Sequence, residues 1–190
     1  MLKHGRLNRQ LLMLSNFEAS LHYVLASEGG FSDNPLDSGG ATMKGITLET
    51  YRIYKKNTHL TPNDLKLISD MDVSTIYLNQ YWNACRCSDL PSGIDYCVFD
   101  MAINSGTGMS VKLLQKSVGT DIDGVLGSIT LALTKGKDQL GLIRAFSDQK
   151  ESFYRNIVAK RPSQSVFING WLARINDVQE RAIKMITQSS

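Results

Sequence analysis

The chain has 190 residues, of which 42% are hydrophobic and 21% charged, so it is long enough for one domain with a substantial core or for two small lobes. Its net charge of +3 comes with no run of basic residues, which argues against a nucleic-acid-binding protein. No stretch approaches the roughly 20 apolar residues of a membrane span. The apolar patch at residues 11–14 is too short for a signal peptide, so we expect synthesis in the cytoplasm.

The first predicted helix lies in NFEASLHYVLASEGG, residues 16–30, where apolar residues recur at helical spacing until the two glycines end the pattern. Between this helix and the next, residues 30–47 carry strand and turn chemistry, which predicts a short hairpin. Thr61, Pro62 and Asp64 then form a helix start, with an N-cap, a first-turn proline and an acid placed for the helix dipole. The segment DVSTIYLNQYWNA continues the helical pattern.

The sequence after Pro91 is also typical of helices. IDYCVFDMAIN is the most apolar helical run, is predicted to cross the core, and stops at residues 104–108. A turn with two glycines at residues 121–130 leads into a further helix, and two long helices close the chain. The pattern therefore predicts a mainly α protein with one small β-hairpin element.

One stretch, SEGGFSDNPLDSGGATMKGIT, combines features that suggest chemistry. Glu28 lies at the end of a helix, where the helix dipole and shielding from water both favour the protonated carboxyl group that a general acid needs. Asp33 and Asp37 follow on the polar hairpin, and two carboxylates flanking the scissile bond are usual in glycoside hydrolases. On the residues alone, Glu28 can equally be a solvated acid at a helix end, with both aspartates capping turns.

Three further segments accompany this stretch: IYLNQYWNACRCSDLPSGIDYCVFDMAINSGTG, LLQKSVGTDIDGVLGSIT and FINGWLARI. Together they closely resemble glycoside hydrolase family 108, N-acetylmuramidases of bacteria and phages, with the C-terminal peptidoglycan-domain region that accompanies it. The resemblance covers about residues 17–180. It implies a lysozyme-like α+β fold with the β-hairpin beside the active site, and hydrolysis of the β-1,4 bond between N-acetylmuramic acid and N-acetylglucosamine in peptidoglycan.

The resemblance also implies roles for individual residues. The Glu of the family's EGG motif is the catalytic acid, which is Glu28 here. In phage-type lysozymes of related fold an acid follows about nine residues later, and Asp37 has that spacing; it would position water or stabilise positive charge on the sugar. Asp33 is the alternative for this role. Thr42 or Thr47 would orient the attacking water.

Substrate contacts are expected further along the chain. Trp82 is predicted to stack on a sugar ring, although an aromatic residue at helical spacing is also typical of a core. Asn104 and Ser105 are predicted to contact the acylamino groups of the substrate, and their alternative role is a helix C-cap. Asp100, in an otherwise apolar helix, is predicted to pair with an arginine.

The resemblance divides the chain into three parts. Residues 1–16 are an N-terminal extension, residues 17–104 the lysozyme-like catalytic region, and residues 105–190 the C-terminal helical peptidoglycan-domain region. We expect the last two to pack as one globular unit.

No cofactor or metal is expected. The three cysteines, Cys85, Cys87 and Cys97, lack the spacing of a zinc site and are predicted to be buried thiols. We expect a monomer whose partner is the glycan strand of bacterial peptidoglycan, with no nucleic acid and no membrane span.

The expected place of action is the cell wall or periplasm. Some proteins of the resembled family are phage endolysins and others are muramidases that help large proteins leave the cell. The resemblance therefore implies release through a holin or with a secretion apparatus. Two alternatives stay open: a non-catalytic wall-binding or secretion-accessory protein of the same fold, and a glycosidase of the chitin type.

Overall fold

The computed structural model describes residues 16–33 and 40–188. Asp37 and residues 1–15 of the predicted extension therefore lie outside the described residues. The chain divides into two compact units, an N-terminal unit of residues 17–80 and a C-terminal unit of residues 81–190 to which Asn16 also belongs. This division falls before the predicted one at residues 104 and 105.

The N-terminal unit combines helices with a two-stranded antiparallel sheet. Its elements are α1 (residues 16–27), β1 (Thr42–Met43), β2 (Ile46–Thr47), α2 (Leu48–Lys55), α3 (Pro62–Lys66) and α4 (Asp70–Tyr77). The strands pair Thr42 with Thr47 and Met43 with Ile46, and an isolated bridge joins Ser32 to Thr42. The predicted hairpin is confirmed.

Side chains that satisfy free backbone amides determine where these helices begin. Thr47 caps α2 and Ser69 caps α4. At α3, the Thr61 hydroxyl accepts a hydrogen bond from the Asp64 backbone amide, and the Asp64 carboxylate accepts one from the Thr61 amide. This reciprocal pair confirms the helix start that the sequence predicts.

In the described part of the C-terminal unit, every regular element is a helix or a helical turn. A π-helical turn (Leu78–Asn83) comes first in the chain. It is followed by a 3₁₀ turn (Cys87–Asp89), α5 (Ile94–Ser105), α6 (Thr107–Val118), α7 (Ser128–Gly136), α8 (Gln139–Lys160), a second 3₁₀ segment (Pro162–Phe167) and α9 (Ile168–Gln188). Every residue from Ile94 to Ala102 is buried, and α5 contacts α6, α8 and α9. The apolar run after Pro91 therefore crosses the core, as predicted.

Asp100 is buried on α5 and joins three helices. Its carboxylate pairs with Lys150 of α8 and accepts a hydrogen bond from Arg174 Nε of α9 at 2.9 Å. Arg174 Nη2 completes an ion pair with the same oxygen at 2.8 Å. Burial opposes the charge of Asp100, but the two cations and their hydrogen bonds still hold the pKa of this carboxyl group below its ordinary value. The predicted pairing with an arginine is confirmed, and Lys150 is an additional partner.

The three cysteines are free and buried, as predicted. Burial raises the pKa of the Cys97 thiol far above its ordinary value, and it does the same for Cys87. Both thiols are therefore inert hydrophobic groups of the core.

Asp95, in the first turn of α5, is only 2% exposed. Its carboxylate accepts hydrogen bonds from Asn16 Nδ2 and from the Tyr96 amide, each at 2.8 Å. These contacts only partly offset burial, which raises the pKa of Asp95 from 3.8 to about 6. The folded protein therefore holds this proton at a pH where the unfolded chain has lost it.

Asp95 is expected to make the free energy of unfolding fall as pH rises from about 4 to about 6. Below this window the carboxyl group is protonated in both states; above it, folding carries a constant cost of up to about 3 kcal/mol. Urea unfolding at pH 4 and pH 7 should show a smaller loss in Asp95→Asn than in the wild type. Asp148→Asn, exposed on α8, is the control. Equal pH dependence in all three proteins would contradict the assignment.

Candidate active site

Glu28 directly follows α1, and its backbone amide donates to the Leu25 carbonyl at 3.3 Å. This places the carboxyl group at the C-terminal end of the helix, as predicted. The side chain is half-buried. Its carboxyl group stands over the β1–β2 turn, since a Cβ atom added at Gly45 would lie 2.9 Å from Glu28 Oε2 and 3.2 Å from Cδ. The acid is therefore seated against the backbone of the hairpin.

The turn beneath Glu28 consists of Lys44 and Gly45, with φ angles of 50° and 74°. Two consecutive positive φ angles are typical of the tight turn that joins adjacent antiparallel strands. Gly45 is required for a second reason, because a side chain there would collide with both Glu28 and Tyr77. Glycine thus allows the acid to approach the backbone closely.

Two contacts hold this turn in place. The hydroxyl group of Tyr77, at the end of α4, donates a hydrogen bond to the Lys44 carbonyl at 2.9 Å. The Lys44 ammonium group pairs with Asp70, at the start of α4, at 2.5 Å. Tyr77 is only 1% exposed, so its ring has little freedom to move. The turn is fixed to both ends of α4.

Thr42 and Thr47 are direct cross-strand partners. The Thr47 hydroxyl accepts a hydrogen bond from the Thr50 amide at 3.1 Å and contacts the Thr50 hydroxyl at 3.0 Å, so it serves as the N-cap of α2. Thr42 is held by two backbone hydrogen bonds to Ser32, at 2.8 and 2.9 Å. Since the Thr47 hydroxyl is already engaged, Thr42 is the better candidate for orienting water.

Asp33 is exposed and directly follows the bridge between Ser32 and Thr42, so its backbone lies beside β1. The structure therefore brings Glu28, Asp33, Thr42 and Thr47 into the same unit. Asp37, the predicted second carboxylate, lies outside the described residues.

Three predicted substrate residues belong to the C-terminal unit. Trp82 is 1% exposed, donates from Nε1 to the Ser88 hydroxyl at 2.8 Å, and packs edge-on against Phe99 at 5.4 Å between ring centroids. These contacts indicate the core role that its helical spacing also allows. Asn104 is exposed and donates to the Asp100 carbonyl at 2.6 Å, while Ser105 is the last residue of α5. Stacking on a sugar needs an exposed ring face, which the structure does not show for Trp82. Substrate contacts of Asn104 and Ser105 stay predictions.

Among the described residues, no group of three or more His, Cys, Asp or Glu side chains is placed to hold a metal ion. Nor does any described helix have both the length and the apolar character needed to cross a membrane.

Comparison with known proteins identifies the family. The glycosyl hydrolase 108 profile matches residues 21–106, and that of a predicted peptidoglycan domain matches residues 109–176. The solved structure of SagA from Brucella abortus is similar, with 34% identity, a TM-score of 0.77, and coverage of 90% of this chain and 95% of that chain. No sequence among curated proteins matches. The chain belongs to the glycosyl hydrolase 108 family. It is a glycoside hydrolase, and the resemblance noted from its motifs is confirmed.

In this glycosyl hydrolase, the sequence singled out Glu28 as the candidate acid but not the residues that hold it in place. Tyr77 lies at helical spacing among apolar neighbours, a pattern that looks the same for any core tyrosine. Gly45 was easier to interpret, because a glycine between two short segments that suit strands favours a tight turn. The contact between that turn and Glu28 joins segments distant in sequence, and no local pattern encodes it.

Proposed function

We propose that this glycosyl hydrolase 108 protein is an N-acetylmuramidase, which hydrolyses the β-1,4 bond between N-acetylmuramic acid and N-acetylglucosamine in peptidoglycan. The observation that carries the proposal is the half-buried carboxyl group of Glu28 at the end of α1, seated over Gly45 beside a polar hairpin. The matched peptidoglycan domain at residues 109–176 supports peptidoglycan as the polymer.

In the proposed reaction, Glu28 is the general acid. It donates its proton to the oxygen between the two sugars as the glycosidic bond breaks, and positive charge develops on the muramic acid ring. A water molecule attacks the anomeric carbon, and the proton that it releases passes to solvent, from which Glu28 regains its proton. Asp37, or Asp33 in its place, would stabilise the developing charge or position this water, and the Thr42 hydroxyl would orient it. These steps need only carboxyl groups, a hydroxyl group and water.

The proposed place of action is the cell wall or periplasm, since that is where peptidoglycan lies. The chain would reach it through a holin, as an endolysin does, or with a secretion apparatus. The C-terminal helices, which include the matched peptidoglycan domain, would hold the enzyme on the glycan strand. We propose that it acts as a monomer.

A substrate panel tests the proposal. The protein is incubated with purified peptidoglycan of different peptide cross-links and with chitin oligomers, and soluble fragments are measured together with the protein that sediments on the insoluble wall. We expect fragments from peptidoglycan and none from chitin. Cleavage of chitin alone would identify a chitin-type glycosidase. Sedimentation with the wall without any cleavage would identify a non-catalytic wall-binding protein.

A further inference from the structure

The phenol oxygen of Tyr77 and the carboxyl group of Glu28, the candidate acid, both approach the backbone at Gly45. A Cβ atom placed on Gly45 would meet both Glu28 Oε2, at 2.9 Å, and Tyr77 Oη, which is closer still. The two oxygens therefore border the same point above the turn. Glu28 directly follows α1 and Tyr77 ends α4, so this proximity is a product of the tertiary fold.

The proton of the Tyr77 hydroxyl group is already assigned. It is donated to the Lys44 carbonyl at 2.9 Å, and a carbonyl oxygen can only accept. Tyr77 Oη consequently has only lone pairs to offer to its other neighbours. Any hydrogen bond between the two oxygens must be donated by the carboxyl group of Glu28, and the carboxyl group can donate only when it carries a proton.

Burial restricts the movement of the Tyr77 ring, which is only 1% exposed. Lys44, whose carbonyl accepts the Tyr77 hydrogen bond, also pairs with Asp70 through its ammonium group at 2.5 Å. A rigid, preorganised neighbour holds a reacting group in its working geometry without reorganisation during the reaction.

This inference rests on the proposed function. We propose that Tyr77 is a positioning residue, which accepts a hydrogen bond from the protonated carboxyl group of Glu28 in the free enzyme and holds that group over the turn. When the glycan binds, this hydrogen bond is released and the same proton is donated to the leaving oxygen. Tyr77 does not contact the substrate in this role. It acts through Glu28, so its loss changes the proton-donating step more than the binding of the glycan.

Other titratable side chains on the elements around Glu28 are retained in Tyr77→Phe. They are Glu18, His22 and Tyr23 on α1, Asp33 beside β1, Lys44 on the turn, Glu49, Tyr51, Tyr54 and Lys55 on α2, Asp64 and Lys66 on α3, and Asp70 and Asp72 on α4. Asp37 is retained as well. The difference between the pH profiles of the two proteins therefore reports the loss of the phenol group, including its hydrogen bond to the Lys44 carbonyl.

The test compares Tyr77→Phe with the wild type and with Tyr51→Phe, which removes a phenol from a buried tyrosine of α2 in the same unit. Because this hydrogen bond is made in the free enzyme, Tyr77→Phe is expected to lower kcat/KM at neutral pH about tenfold, the equivalent of one hydrogen bond. The alkaline limb of its kcat/KM profile should move to lower pH. A wild-type kcat/KM and pH profile in Tyr77→Phe, or equal losses in both variants, would overturn the proposal.

A second readout needs no catalysis and separates this inference from the proposed function. The carboxyl ¹³C resonance of Glu28 is followed by NMR through a pH titration in the wild type and in Tyr77→Phe. The curve is expected to move to lower pH in the variant, whichever polymer the enzyme cleaves. An unchanged curve would overturn the role of Tyr77, whereas failure of the wild type on peptidoglycan would overturn only the muramidase.

Discussion

Glu28→Gln is expected to lower the rate of peptidoglycan cleavage by about 10²- to 10⁴-fold, the usual contribution of general acid–base catalysis. Glutamine has nearly the shape of glutamic acid, so it can occupy the same place over Gly45, but its amide cannot protonate the leaving oxygen. The measurement is the initial rate of soluble fragment release. Binding to the wall should be unchanged, because the substitution leaves the helical C-terminal unit untouched.

The matched control for this substitution is Glu18→Gln. Glu18 is an exposed acid on the same helix, so its replacement makes the same change in charge away from the turn. We expect wild-type rates for Glu18→Gln and similar thermal unfolding for both variants. If Glu28→Gln kept a rate within a few-fold of the wild type, another residue would have to be the acid.

Gly45→Ala is expected to lower the cleavage rate about 100-fold, because a displacement of about 1 Å in a catalytic group can cost that much. The new methyl group would lie 2.9 Å from Glu28 Oε2 and still closer to Tyr77 Oη. The Tyr77 ring is buried, whereas the Glu28 side chain is flexible and half-buried. Movement of the carboxyl group relieves only its own contact, so the turn must also shift away from the buried Tyr77 ring. Both shifts change the position of the carboxyl group relative to the hairpin, and the rate per folded molecule should fall.

A control variant at a second glycine distinguishes the effect of this collision from the effect of backbone strain. Gly119, the C-cap of α6, has a φ of 78°, close to the 74° of Gly45, but a Cβ atom there meets nothing within 4 Å. Gly119→Ala should therefore lose stability without losing activity per folded molecule. Equal rates in the two variants, at equal folded fractions by circular dichroism, would show that Gly45 does not determine the position of Glu28.

The parts of the fold that depend on short-range chemistry were predictable from the sequence. Thr61 and Asp64 are three residues apart, so their capping box is visible as a pattern. The position of Glu28 at a helix end was also predictable, because the two glycines that follow it end the helical pattern. Burial of Asp100 within an apolar helix required a partner, and Arg174 is that partner.

Contacts between distant segments were not predictable in the same way. Tyr77 and Lys44 are 33 residues apart, and periodicity indicates only that Tyr77 faces a core. The same uncertainty applies to Trp82, whose helical spacing allows a buried ring or one that faces a ligand. Which helices pack together also decides where the units divide, and this depends on tertiary contacts that apolar spacing does not specify.

The most direct test of the muramidase proposal is the identity of the sugar at the new reducing ends. Purified peptidoglycan is digested with the wild-type protein and with Glu28→Gln, reduced with borohydride, and analysed by mass spectrometry. Fragments ending in reduced N-acetylmuramic acid, released by the wild type and absent with the variant, are the predicted result. Fragments ending in reduced N-acetylglucosamine would contradict it, because a different bond would then have been cut.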